Sequence, residues 1–315
     1  MRLLREAEKK RRNFKFNFPQ IKLYIIAALQ FERLNMSKLS KLPTPDIAEH
    51  GAFFPSPFSL SQFTAPVSDL ADFNYEKKYD GDKKILIIAA DERYLLMDNG
   101  AFFSTGNHPV ETLVPMYHLA QAGWDFEIAT LSGNPVKFEF WAMPAKDERL
   151  KGFFESYAAK FKEPKKLADI VKKGFDEYFA LYIPGGHGAL IGLDESRDVK
   201  AALKWFHEQG KYIITICHGP AGLLAAALDE DKFLFEGYEL VLLPDVIDRT
   251  SPGIGYMPGH LRWYMGSRLA KLGMKILNKS IDGAVHKDRN LLSGDSPLAA
   301  NNLGKLAAKT FLESL

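Results

Sequence analysis

Ile85-Leu86-Ile87-Ile88-Ala89-Ala90 is an unbroken apolar run of strand length, and runs of this kind recur along the chain. Strands without polar alternation are buried on both faces, which is the condition of a central parallel strand. Further runs are Phe126–Thr130, Tyr178–Ile183, Tyr212–Ile216, Tyr238–Leu243 and a short one at Asn290-Leu291-Leu292. Helical patterns separate them. One opens at Pro109 with apolar residues at Val110, Leu113, Val114 and Tyr117, and Pro115 inside it is expected to kink or shorten it. Others cover residues 196–209 and an Ala/Leu stretch from Gly219-Pro220 to about residue 228. The last is expected to have Ser296 as N-cap, Pro297 in its first turn, and Leu303, Leu306, Ala307 and Phe311 on one face. Strands alternating with helices predict an α/β fold built on a doubly wound parallel sheet, with the site beyond the carboxyl ends of the strands.

Three segments depart from this pattern. Residues 1–35 hold nine Lys/Arg against three Asp/Glu and one apolar stretch, Leu23–Leu29. No small-residue cleavage site follows, and Met36-Ser37-Lys38 reads as a protein start, so these residues are expected to be a disordered extension or a misassigned start rather than a targeting signal. Residues 36–82 read as an extended arm anchored by Phe53, Phe54, Phe58 and Phe63, before an α/β domain over 83–315. Residues 134–176 interrupt the alternation with Lys, Phe, Trp and Pro, and with helical stretches near 147–162 and 164–173. They are expected to form a small inserted cap.

Composition narrows the function classes. With 41 Lys/Arg against 39 Asp/Glu, the chain carries no charge excess that would mark a nucleic-acid or membrane partner. No run of 18 apolar residues suggests a spanning helix. A single cysteine rules out an intrachain disulfide, suits a reducing cytoplasm, and leaves a free thiol to be explained.

That thiol, Cys217, falls between a buried strand and a helix start, in Ile216-Cys217-His218-Gly219-Pro220. This is the sulfur counterpart of a nucleophile elbow, where the turn lifts the side chain out of the sheet and the helix N-terminus is expected to favour thiolate. A cysteine that merely fills the core is the alternative. His218 is the adjacent candidate base. Gly185-Gly186-His187-Gly188 ends another strand, and its glycines allow backbone N–H groups to approach a ligand as an oxyanion hole requires. Glu111 lies in a first helical turn, where a carboxylate also simply complements the helix dipole. Asp245 and Asp248 are both candidates to orient His218, and spacing does not choose between them. No histidine, cysteine and carboxylate share a zinc-type spacing, and no phosphate-binding glycine motif follows a strand.

From about residue 43 to the C-terminus the chain resembles the HchA family (glyoxalase III, heat-shock chaperone and protein deglycase) of the ThiJ/PfpI superfamily. The resemblance rests on Ala52-Phe53-Phe54-Pro55-Ser56, Ser59-Leu60-Ser61-Gln62-Phe63-Thr64, Ala89-Ala90-Asp91-Glu92-Arg93-Tyr94 and Phe103-Ser104-Thr105-Gly106-Asn107-His108-Pro109. It continues through Trp141-Ala142-Met143-Pro144, Pro184-Gly185-Gly186-His187-Gly188-Ala189, Ile254-Gly255-Tyr256-Met257-Pro258-Gly259-His260 and Gly294-Asp295-Ser296-Pro297. It implies a flavodoxin-like sheet with a small cap, a homodimer, Cys217 as nucleophile, His218 and Asp248 as its partners, and Glu111 as the glutamate bonded to the cysteine. It implies cofactor-free conversion of a small dicarbonyl, methylglyoxal, to lactate through a Cys217 hemithioacetal, with Gly185, Gly186 and His218 at the oxyanion. Repair of glycated protein or nucleotide amines, capture of unfolded proteins, and Cys/His peptidase activity are the further readings. Some members carry a metal site of two histidines and a carboxylate. The matching positions here are Ala120, Asp125 and Tyr157, so no metal is expected there.

Overall fold

A computed structural model describes residues 39–315, and the expectations for residues 1–35 and for the start at Met36 fall outside them. The chain opens with strands β1 (Thr44–Pro45) and β2 (Ala52–Phe54) and helix α1 (Pro57–Phe63). Strand β3 (Lys84–Ile88) leads through β4 (Tyr94–Leu96) and β5 (Phe102–Ser104) to α2 (Pro109–Gln121) and β6 (Phe126–Thr130). Next come α3 (Glu148–Lys162), β7 (Lys165–Lys166), α4 (Leu167–Lys173), β8 (Tyr178–Ile183), α5 (Arg197–Glu208) and β9 (Tyr212–Ile216). The C-terminal part adds β10 (Glu239–Leu240), α6 (Asp245–Thr250), α7 (Met265–Lys271), β11 (Lys275–Ile276), β12 (Val285–Asp288), β13 (Leu291–Gly294) and α8 (Ala300–Glu313).

Seven strands form the main sheet in the order β12-β13-β9-β8-β3-β6-β7, and every pairing is parallel except β12 with β13. The expected doubly wound sheet is therefore present, with an antiparallel edge strand. From β3 the chain winds outward through β6 to β7, then returns to β8 and winds the other way through β9 to β13. The strand order reverses between β3 and β8, and the crevice above that reversal is where such sheets bind ligands. Period-2 alternation divides the buried strands between two cores. Ile85 and Ile87 face α2 and α8 with Ile214 and Ile216, whereas Leu86 and Ile88 face the opposite side with Ile183 and Val199 of α5.

The segment 134–176 holds its two expected helices and also supplies β7, the edge strand of the main sheet. The N-terminal arm is more ordered than expected. Its β1 and β2 join β5 and β4 in a second, four-stranded sheet. Its buried contacts are Ala52, Leu70 and Tyr75, while Phe53, Phe54 and Phe58 are only partly covered and Phe63 is 45% exposed. The Tyr75 hydroxyl reaches His118 Nδ1 at 3.1 Å, and His118 Nε2 meets Asn301 Oδ1 at 2.9 Å, so a buried histidine ties the arm to α2 and α8.

Four local expectations change. The stretch after Cys217 is a 3-10 helix, Gly219–Ala227, not an α-helix. Only Glu239–Leu240 of the run Tyr238–Leu243 pairs as strand. Ser296 does not cap the last helix, because its hydroxyl bonds Asp295 Oδ1 at 2.6 Å and a 3-10 turn, Pro297–Ala299, intervenes before α8. Pro115 neither stops nor shortens α2, which runs 13 residues through it. A proline at 115 cannot donate to the carbonyl of Glu111 four residues earlier. The Tyr182 hydroxyl, from β8, donates to that carbonyl instead.

Because the Glu111 carbonyl is buried, Tyr182→Phe is expected to destabilise the fold by about 1–3 kcal/mol. Urea denaturation should show a lower midpoint at constant slope. Pro115→Ala in the same background restores a backbone donor and should recover part of the loss. No recovery would mean that the tyrosine acts by packing alone.

Candidate active site

The loop between β5 and α2 forms one wall. Asn107 holds it in place, accepting from Ala90 N at 3.1 Å and donating to Ala90 O and Lys137 O at 2.8 Å each. This staple fixes His108 at the start of α2 and Glu111 in its first turn. The turn after β8 supplies Gly185, Gly186 and His187, and the turn after β9 supplies Cys217 and His218. Asp248 rises from α6, on the far side of the His218 ring.

Cys217 occupies the left-handed region with φ +57, which side-chain-bearing residues rarely adopt. Two backbone bonds hold it: Cys217 N donates to Gly294 O at 2.9 Å, and its carbonyl accepts from Leu243 N at 3.1 Å. Its Sγ lies 3.4 Å from His218 Nδ1, and His218 Nε2 lies 2.8 Å from Asp248 Oδ2. The four residues singled out by sequence therefore share one place. Asp248, not Asp245, meets the histidine; Asp245 accepts from Gly266 N and Ser267 N at 2.8 Å each and caps α7.

These groups line one cavity of about 500 Å³. Its floor is polar, with His108, Glu111, Glu139, Gly186, His187, Cys217, His218 and Asp248, while its mouth mixes exposed apolar Phe63, Val67 and Leu298 with polar Gln62 and Asp69. Gly185 does not line it. A Cβ at Gly185 would collide with Glu111 Oε2, the Ile216 carbonyl and the Cys217 Cβ, so this glycine lets the carboxylate and the cysteine approach each other. Among the described residues, neither Gly186 N nor His218 N donates to a backbone carbonyl, so neither N–H is spent on a backbone partner.

Electrostatics at Cys217 run against the expected thiolate. Burial pushes its thiol well up, and the carboxylates of Glu111 and Asp248 push it further. Burial likewise raises Glu111, to about 8, against the neighbouring Cys217 thiol, which pulls it down. Neither Glu111 oxygen has a hydrogen-bond partner in the structure. Both acids therefore keep their protons near neutrality, and the pair gives up its first proton only near 8. Burial also lowers His108, to about 4, and its Nδ1 is unpartnered.

Two residues escaped sequence reasoning. His187 Nε2 meets the second oxygen of Asp248 at 3.0 Å, and its ring lies 4.0 Å from that of His218. Glu139 Oε1 accepts from Thr105 Oγ1 at 2.6 Å and from His187 N at 3.3 Å. Although Asp248 stands between two histidines, both contacts have hydrogen-bond lengths and protons account for them. At the positions matched to the family's metal site, Asp125 is held by Lys160 at 2.8 Å and 2.9 Å, Ala120 has no donor atom, and the Tyr157 ring packs against Phe126 and Phe153. This donor set does not suit a metal ion.

Residues 102–232 match the DJ-1/PfpI family. The chain is 56% identical over 286 residues to the protein/nucleic acid deglycase HchA of Pseudomonas aeruginosa, covering 89% of this chain and 98% of that one. It is 58% identical over 275 residues to the Escherichia coli protein of the same name, covering 87% and 96%. A crystal structure of glyoxalase III from Candida albicans superposes with a TM-score of 0.58 at 18% identity, over 72% of this chain and 97% of that one, and shares its fold. On the strength of the two HchA relatives, the chain belongs to the HchA family within the DJ-1/PfpI fold.

Proposed function

We propose that this protein is a glutathione-independent glyoxalase that converts methylglyoxal to lactate, and that it also removes early carbonyl adducts from protein and nucleotide amines. The observation that carries the reading is the Cys217–His218–Asp248 chain at the polar floor of the cavity, with Glu111 beside the cysteine. Membership of the HchA family, whose relatives are named deglycases, supports enzymatic carbonyl chemistry.

In this mechanism Cys217 Sγ adds to the aldehyde carbon as His218 Nδ1 takes the thiol proton. The new alkoxide faces the N–H groups of Gly186 and His218. Glu111, whose ionisation near 8 suits both giving and taking a proton, carries the C1 proton to C2 through an enediol. C1 is thereby oxidised to a thioester while C2 is reduced to a secondary alcohol, so no external oxidant is required. Water hydrolyses the thioester, releases lactate and returns the thiol. The site needs no cofactor for this sequence. The expected setting is a cytoplasmic homodimer.

The exposed apolar side chains of Phe63, Val67 and Leu298 at the mouth favour a second reading, capture of unfolded chains. The two readings part at the cysteine. Lactate formation from methylglyoxal, measured with EDTA and without glutathione, should be robust in the wild type and abolished in Cys217→Ser. Suppression of aggregation by a client protein should survive that change if the surface alone is responsible. No lactate from a folded wild type would sink the glyoxalase reading and move chain capture to first place.

Glu111→Gln keeps the shape of the side chain but cannot carry a proton, so kcat should fall by about 10²–10⁴-fold. Cys217 in that variant should still react with iodoacetamide. A loss of both would instead mean that Glu111 only holds the pocket together.

A further inference from the structure

His187 lies outside the roles assigned so far, yet it is 4% exposed and sits at the centre of the buried charges. Its Nε2 faces Asp248 Oδ1 at 3.0 Å and its Nδ1 faces Glu139 Oε1 at 3.8 Å. An ionised carboxylate only accepts, so an imidazole with a carboxylate at each nitrogen is best satisfied with a proton on both. Phe103 closes one side of the ring edge-on at 5.3 Å. His218 lies against it with ring centroids 4.0 Å apart.

We propose that His187 is a positioning residue of the triad: as the imidazolium held between Glu139 and Asp248, it fixes which ring nitrogen of His218 carries the proton. The proposal rests on the reading of Cys217–His218–Asp248 as a working triad. Asp248 presents one oxygen to each histidine, so His187 anchors the carboxylate that orients His218. A second positive charge on His218 would stand against the first at van der Waals separation. At rest His218 is thereby held in its neutral form, with the proton on Nε2 toward Asp248 and the lone pair on Nδ1 toward Cys217 Sγ, ready to take the thiol proton.

The groups around His218 bear this out. Asp248 from α6 and Glu139 from the segment after β6 favour its charged form, while burial and His187 oppose it, and the net shift is downward. From α2, His108 stays neutral at ordinary pH and Glu111 ionises only near 8. On its own turn the thiol of Cys217 is neutral, and Tyr256 remains protonated. His187 itself is raised to about 9, against burial, by Asp248 and Glu139. The base must be neutral to act, so activity rises as pH climbs through the ionisation of His218. Lowering that ionisation extends activity toward acid.

The test uses the full chain with ring-15N-labelled histidine. At pH 7 the wild type should show one doubly protonated active-site imidazole that vanishes in His187→Gln, and a neutral His218 protonated on Nε2. In His187→Gln the glutamine amide still donates to Asp248 without a charge. His218 should then take its second proton at a higher pH, and the acidic limb of kcat/KM for lactate formation should move up by about one pH unit. Should that variant not fold, Glu139→Gln is read at His187 itself, which then loses a counter-charge and should release its proton at lower pH. A neutral His187 in the wild type, a His218 midpoint unmoved in His187→Gln, or a His187 midpoint unmoved in Glu139→Gln would overturn the proposal. The nitrogen spectra do not depend on turnover. A wild type that makes no lactate but shows these protonation states would therefore sink the glyoxalase reading alone.

Discussion

The left-handed backbone of Cys217 is the constraint on which the site depends. A residue with a Cβ in that region costs about 1–2 kcal/mol, and the surrounding ladder must hold it there. It does so through strand β13, whose Gly294 carbonyl takes the Cys217 N–H, and through Leu243, whose N–H takes the Cys217 carbonyl. With the backbone so pinned, the thiol projects into the crevice where the strand order reverses. The next residue, His218, is left with its Nδ1 turned back toward the sulfur. Gly185 completes the arrangement, since a side chain there would separate Glu111 from the cysteine.

A second consequence of burial is that charge must be arranged in chains. Glu139, His187, Asp248 and His218 each lie within 4 Å of the next, with signs alternating until the neutral ring of His218. Asp248 is held well below the usual carboxylate range: burial would raise it, but the two histidines outweigh that. Glu111 and Cys217 have no such cation beside them, and both are pushed up. One cavity thus contains a locked ion-pair chain and, next to it, two acids poised to exchange a proton. Pairs of groups whose environments push their ionisations apart are how one pocket supplies both an orienting charge and a mobile proton.

How much of this could be read from the sequence follows from how local each signal is. The buried parallel strands were plain because Ile85–Ile88 and Tyr212–Ile216 have no polar alternation, and Cys217 was plain because it ends one of them before Gly219-Pro220. Asp248 and Asp245 could not be separated by spacing, since the choice depends on how α6 faces His218 and how α7 claims Asp245. His187 was visible in the glycine turn but silent, because its meaning comes from Glu139 and Asp248, 48 and 61 residues away. The expected thiolate failed for a related reason. A helix N-terminus is a local cue, whereas full burial beside two carboxylates is a tertiary fact. Pro115 shows the same limit: only β8, with Tyr182, explains why α2 passes through it.

The cavity joins these features into one chemical device. Its charged floor is buried, which keeps the local dielectric low, and each charge there therefore acts more strongly than it would in water. That is why a neutral thiol is an advantage at rest. A buried thiolate without a cation would be expensive, whereas a thiol beside a neutral imidazole can give up its proton when a carbonyl arrives to take the sulfur's electrons. In the proposed mechanism the Gly186 and His218 N–H groups then meet charge that appears on the substrate rather than charge stored on the protein. Glu111 ionises close to neutrality because the same burial that raises the thiol raises it too. In the proposed mechanism this burial is thus the common cause of the resting thiol, the mobile glutamate proton and the strength of the oxyanion contacts.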